Sequence, residues 1–144
     1  YGVQIFYAPG LVVKQISDES QEIRKIREEM ASKSPGTAYL YKQKVERAVK
    51  AEIERLAGEW FRDFYRGIKG HCDDIVVEKT KKADRNRVML VNLSCLVARE
   101  KVNNLGEELE KINNTEGFSV HFSGPWPPYN FVVKPVAPVK EEAK

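Results

Sequence analysis

The sequence predicts an α+β fold: a ferredoxin-like βαββαβ sheet with its helices on one face, an additional early helix and a proline- and aromatic-rich C-terminal tail. Three observations carry this expectation. Apolar residues alternate with a period of two in four short segments, the signature of half-buried strands. Between them, apolar residues recur at three- and four-residue steps, the signature of helices packed along one stripe. The resulting order of strand, helices, strand, strand, helix, strand is that of the split βαβ layout, and right-handed crossovers place its helices on one side of the sheet.

The first strand is YGVQIFY, residues 1–7, with Val3, Ile5 and Tyr7 on one side and Gln4 and Phe6 on the other. Pro9 and Gly10 lead into a short apolar stretch, and Ser17 and Asp18 then offer polar caps to a first helix carrying Ile23, Ile26 and Met30. Ser34, Pro35 and Gly36 stop it. The strongest periodic signal covers about 38–65, where Val45, Val49, Ile53, Leu56, Trp60 and Phe64 form one buried face. Its other positions, Lys44, Glu46, Arg47, Lys50, Glu54, Arg55 and Asp63, read as a solvated face with opposite charges at helical spacing.

Gly67 and Gly70 close that helix, and residues 74–80 give a second strand through Ile75, Val76 and Val77. The polar connection 81–87 makes a hairpin with a third strand, 88–97, the candidate for the sheet centre. Here Met89, Val91, Leu93, Cys95 and Val97 face the core, leaving Val88, Leu90, Asn92, Ser94 and Leu96 outward. A third helix, 99–113, buries Val102, Leu105, Leu109 and Ile112, and a last strand carries Phe118, Val120 and Phe122. Domain 1–123 is thus expected to be followed by a tail, 124–144, in which prolines remove backbone donors and discourage regular structure. Tyr1 enters a strand pattern without a methionine before it, so preceding sequence is expected.

Composition narrows the function. The apolar share of 42% and charged share of 31% over 144 residues match an ordinary folded domain. The 24 basic and 21 acidic side chains leave +3, too balanced overall to point to nucleic acid. No apolar run is long enough for a membrane span, and no signal peptide is visible. Cys72 and Cys95 form no disulfide framework, which favours a reducing, cytoplasmic setting.

Candidate chemistry is sparse. His71, Cys72, Asp73 and Asp74 are the only polar cluster of a catalytic type, but side chains of sequence neighbours in a loop point apart, and no metal-ligand spacing accompanies them. The glycines at 67 and 70 follow a helix rather than a strand and make no phosphate loop. No catalytic residue, cofactor or metal is therefore expected. The sheet order also suits RNA-binding modules, yet the outward residues of the third strand include no aromatic platform. An open face carrying Leu90 and Leu96 needs either a partner or the chain's own tail over it.

The segment GPWPPYNFV, residues 124–132, preceded by FSVHFS, resembles the C-terminal signature of the gas vesicle protein L/F family (GvpL/GvpF). PGTAYL, residues 35–40, is similar to a Gly-x-x-Tyr-Leu stretch of that family, and YGVQI looks like the strand opening its C-terminal domain. The resemblance implies a two-domain accessory protein of gas vesicle formation, whose N-terminal ferredoxin-like domain would precede this one. It implies a role at the gas vesicle and in the cytoplasm, with the hydrophobic shell protein GvpA and other accessory proteins as partners, without nucleic acid, membrane or catalysis. Trp126, Pro127, Tyr129 and Phe131, with Leu90 and Leu96, are the candidates for partner binding or for docking the tail. Two alternatives remain: an RNA-binding module on the same sheet, and a thiol enzyme using Cys72.

Overall fold

The computed structural model of the chain describes residues 1–82, 84, 86–127 and 131. They form strands β1 (Gly2–Tyr7), β2 (Asp74–Val77), β3 (Val88–Leu96) and β4 (Phe118–Ser123), and helices α1 (Pro9–Glu19), α2 (Gln21–Ala31), α3 (Pro35–Lys69) and α4 (Val102–Asn113). A single 3-10 turn, Arg99–Lys101, leads into α4. The described chain divides into two compact units, one of residues 1–8 with the described residues from 61 onward and one of residues 9–60.

The first unit holds the sheet. Its order is β2-β3-β1-β4, every neighbouring pair antiparallel, which is the expected ferredoxin-like arrangement. Residues directly opposite across antiparallel strands share a face. Val3 stands opposite Leu93 and Phe122, and Ile5 opposite Val91 and Val120, so these define the core face. Ile68 of α3 and Leu105, Leu109 and Ile112 of α4 complete the buried cluster, with Phe61, Phe64 and Tyr65 packed against it. Four-residue steps carry the α3 stripe from Phe64 to Ile68, so this helix runs past the residue-65 end expected from its periodicity. Gly67 does not stop it, because the buried Ile68 outweighs the modest helix penalty of one glycine.

The other sheet face presents Gln4, Asn92, Ser94, Ser119, His121 and Ser123, opposite one another by register. It is more polar than the expected pattern, and a β-bulge is the reason. Ile5 pairs Val91 but Phe6 pairs Met89, leaving Leu90 as the extra residue. The slip puts Met89 with Phe6 on the open face and turns Leu90 to pack against the core cluster. The expected outward Leu90 and inward Met89 are thereby exchanged. Phe6 is 5% exposed, with the Arg87 guanidinium 4.2 Å from its ring centroid.

In the second unit, residues 9–19 form a helix where an apolar connection was expected. Pro9 suits a first helical turn, and Val12 and Ile16 repeat at a four-residue step and are buried. The cap of the next helix is consequently Ser20, whose Oγ accepts the Ile23 N–H at 3.3 Å, rather than Ser17 or Asp18. Ser17 is buried and accepts from Arg27 Nη2 at 3.1 Å, tying α1 to α2. On α3, Val45 and Val49 are buried, while Arg55 bridges Glu52 and Glu59 at 2.7 Å each on the solvated face.

Candidate functional site

The sequence candidates meet at one end of the open face, where β1 begins and β4 ends. Gly2 stands opposite both Ser94 and Ser123, and Leu96 continues the Ser94 side of β3. Beyond Ser123 the chain turns at Gly124, whose φ of +122° is open to glycine and strained for any other residue. A Cβ there would also lie 3.0 Å from the Tyr1 Cα. The Gly124–Pro125 peptide is cis. This turn carries Trp126 back over the sheet, where its Nε1 donates to Ser123 Oγ at 3.1 Å.

The indole finds room because Gly2 has no side chain. A Cβ on Gly2 would sit 2.9 Å from Ser123 Oγ and 3.7 Å from Trp126 Nε1. Beneath the turn, on the core face, the rings of Tyr1 and Phe122 stack with centroids 5.3 Å apart. Trp126 is thus anchored through its nitrogen yet remains 61% exposed. Leu96, 39% exposed, shares this end of the face. An exposed tryptophan held by a hydrogen bond to a serine, at the same end of the face as an exposed leucine, offers apolar contact area with little rotamer freedom left to lose.

The remaining candidates separate. Leu90 belongs to the core side of the bulge and takes no part in this surface. Pro127 is exposed beside Trp126, and Phe131 is half-buried. Tyr129 lies outside the described residues. Two apolar exposures escaped the sequence reading as surface: Tyr39 and Leu40 at the head of α3, within the PGTAYL stretch, and Val77 on edge strand β2. Tyr39 and Leu40 precede the buried stripe starting at Val45, which is the signal that could have marked them as outward.

The side chains of the cluster at 71–74 turn to different partners. His71 Nε2 is 3.9 Å from Glu108 Oε1, and the Cys72 thiol donates to the Ile68 carbonyl at 3.2 Å. Asp73 Oδ1 is 3.5 Å from Lys101 Nζ, while Asp74 Oδ1 accepts the Ile75 N–H at 2.9 Å. What the fold does bring together are the two thiols. Hydrogen bonding to the neighbouring Cys95 thiol holds the Cys72 pKa below its ordinary value, against the opposing effect of burial. That same bond, with burial, pushes Cys95 up. In the native protein at mildly alkaline pH, a thiol reagent is expected to modify Cys72 quickly and Cys95 only on unfolding. Peptide mapping after brief alkylation checks this; prompt native modification of Cys95 would contradict it. No group of three or more metal-ligating side chains occurs among the described residues, and no described helix is long and apolar enough to cross a membrane.

Comparison with known proteins places this arrangement. The chain is 26% identical to gas vesicle protein L of Haloferax mediterranei over 139 residues, covering 91% of this chain and 42% of that protein. It is 23% identical to gas vesicle protein L1 of Halobacterium salinarum, covering 91% of this chain and 49% of that protein. The chain therefore spans less than half the length of these curated relatives. Its fold matches the crystal structure of the gas vesicle protein GvpF from Anabaena sp. PCC7120 with a TM-score of 0.69 at 16% identity, over 90% of this chain and 52% of that one. The GvpF structure from Microcystis aeruginosa matches with a TM-score of 0.52 at 13% identity, over the same shares. The family described as gas vesicle synthesis protein GvpL/GvpF matches residues 1–133, nearly the whole chain, and the protein belongs to that family.

Proposed function

We propose that this chain is a non-enzymatic binding domain of a gas vesicle accessory protein, which holds the hydrophobic shell protein GvpA, or another accessory protein, during vesicle formation. The observation that carries this reading is Trp126, anchored by Ser123 over the open sheet face and exposed at the same end as Leu96. A shell subunit with large apolar surface needs a reversible cover before it polymerises. A pre-positioned aromatic ring beside small polar residues can supply such a cover, since the ring contributes area while its neighbours remain wettable. The polar character of Gln4, Asn92, Ser94 and Ser119 supports a protein partner over RNA, because the strands among the described residues set no row of Phe, Tyr or Trp rings outward on this face for base stacking. In this reading the protein acts in the cytoplasm and at the vesicle, without a cofactor.

The test is retention of GvpA by the immobilised chain from cells expressing both, with the eluate treated or untreated with nuclease. Retention that survives nuclease supports a direct protein contact; recovery of RNA in place of GvpA would favour the RNA-binding alternative.

A further inference from the structure

The net charge of the chain is not spread over it. Residues 78–87, EKTKKADRNR, hold Lys79, Lys81, Lys82, Arg85 and Arg87 against Glu78 and Asp84, five basic and two acidic. Subtracting these from the chain's 24 basic and 21 acidic side chains leaves 19 of each, so this segment accounts for the entire +3. It connects β2 to β3.

Both acids in the segment have partners within the hairpin. Glu78 Oε2 accepts the Ser94 hydroxyl at 2.8 Å. Asp84 accepts the Asn86 N–H at 2.9 Å and lies 3.4 Å from Arg87 Nε. Arg87 is also occupied over the Phe6 ring. Lys79, Lys81 and Lys82 are exposed, and among the described residues no carboxylate pairs with any of them. The backbone of Glu78, Lys79 and Lys81, by contrast, is held by hydrogen bonds to β3. The Lys79 carbonyl accepts from Asn92 Nδ2 at 2.7 Å, the Glu78 N–H donates to the Asn92 carbonyl at 2.8 Å, and the Lys81 N–H donates to Met89 Sδ at 3.3 Å. Asn92 is itself buried on the sheet. The bulge that turns Met89 to the open face thus brings its sulfur to the Lys81 N–H.

We propose that the β2–β3 hairpin is a docking site for a carboxylate-rich segment of a partner protein, engaged through Lys79, Lys81 and Lys82. Three ammonium groups without a carboxylate partner among the described residues, two of them on residues whose backbone is hydrogen-bonded to β3, attract an anion at less ordering cost than freely moving side chains on a free backbone would. They steer its approach as well, because the rest of the chain is neutral. Nucleic acid is the less suited anion: single strands gain much of their affinity from stacking on rings. The ring nearest by register, Phe6, is buried under Arg87. The inference rests on the binding role proposed above only in taking the partner to be protein, and its test requires no gas vesicle protein.

That test uses a fluorescein-labelled oligoglutamate peptide, followed by anisotropy, with an oligothymidylate of equal charge as the comparison. Lys79→Gln, Lys81→Gln and Lys82→Gln together are expected to weaken oligoglutamate binding by about tenfold, the scale of three modest exposed ion pairs. Removing the same charge elsewhere, with Lys14→Gln, Lys25→Gln and Lys42→Gln, is expected to leave it nearly unchanged. Wild-type binding should fade as ionic strength rises from about 0.01 M to about 1 M, where the screening length falls from about 30 Å to about 3 Å. Equal binding by the two triple variants, or tighter binding of oligothymidylate than of oligoglutamate, would overturn the proposal. Unchanged circular dichroism and melting of both variants establish that folding is not the cause.

Discussion

Leu93→Ala is expected to destabilise the sheet unit by about 2–5 kcal/mol, the range for truncating a fully buried leucine in a core that cannot collapse around the loss. Leu93 is 1% exposed and sits on central strand β3, opposite Val3 of β1 on one side and Val77 of β2 on the other. Ile68, Leu105 and Leu109 belong to the same cluster. Rigid strands on both flanks limit relaxation, so the removed atoms leave a cavity rather than a repacked surface. Urea unfolding monitored by circular dichroism reads the effect as a lower midpoint at an unchanged slope. A loss below about 1 kcal/mol, the level of an average point substitution, would contradict the core described here.

Gly124→Ala should be costly for a different reason. At φ +122° the backbone occupies a region that a β-carbon makes unfavourable, and the added carbon would come within 3.1 Å of the Tyr1 ring and 3.0 Å of its Cα. Backbone strain of this kind costs about 1–3 kcal/mol where the surroundings enforce it. Here the turn can instead rearrange, which would lift Trp126 from Ser123. The two responses are separable in a Trp60→Phe background, where Trp126 is the remaining tryptophan. A drop in melting temperature with unchanged emission indicates enforced strain, and altered emission indicates a moved turn. An unchanged melting temperature together with unchanged emission would show that Gly124 does not set the path of the tail.

The consequence for the open face is that the position of Trp126 over it depends on two glycines. Gly124 directs the chain back and Gly2 leaves the space that the indole approaches. Both belong to segments whose resemblance to GvpL/GvpF is legible in the sequence, but the contact between them is not, because it joins the first strand to the residues after the last. The same is true of Cys72 and Cys95, which meet only once β2 and β3 pair.

Most of the fold was legible for a simple reason: where one face is buried and the other polar, periodicity reports the structure directly. Val3 and Ile5 on β1, and Leu105, Leu109 and Ile112 on α4, follow that rule. β3 does not. Val88, Met89, Leu90 and Val91 are apolar in succession, so alternation carries no mark of the slip that turns Leu90 inward. α1 was hidden by the weakness of its pattern, with two buried aliphatics, Val12 and Ile16, and a serine at 17 that resembles a cap but is buried against Arg27. The cationic hairpin escaped because net charge averages over the chain. Only the positions of Glu78 and Asp84 partners, known from structure, show which cations are left over.

Retention of GvpA by the immobilised chain, compared at equal loading for wild type and Trp126→Ala, tests the central claim most directly. Trp126 is mostly exposed and its single described hydrogen bond is to Ser123, so the substitution should leave melting nearly unchanged. Nuclease-resistant retention by the wild type and a marked loss in the variant are expected. Undiminished retention by folded Trp126→Ala, or none by the wild type, would contradict the proposal that this end of the sheet binds the shell protein.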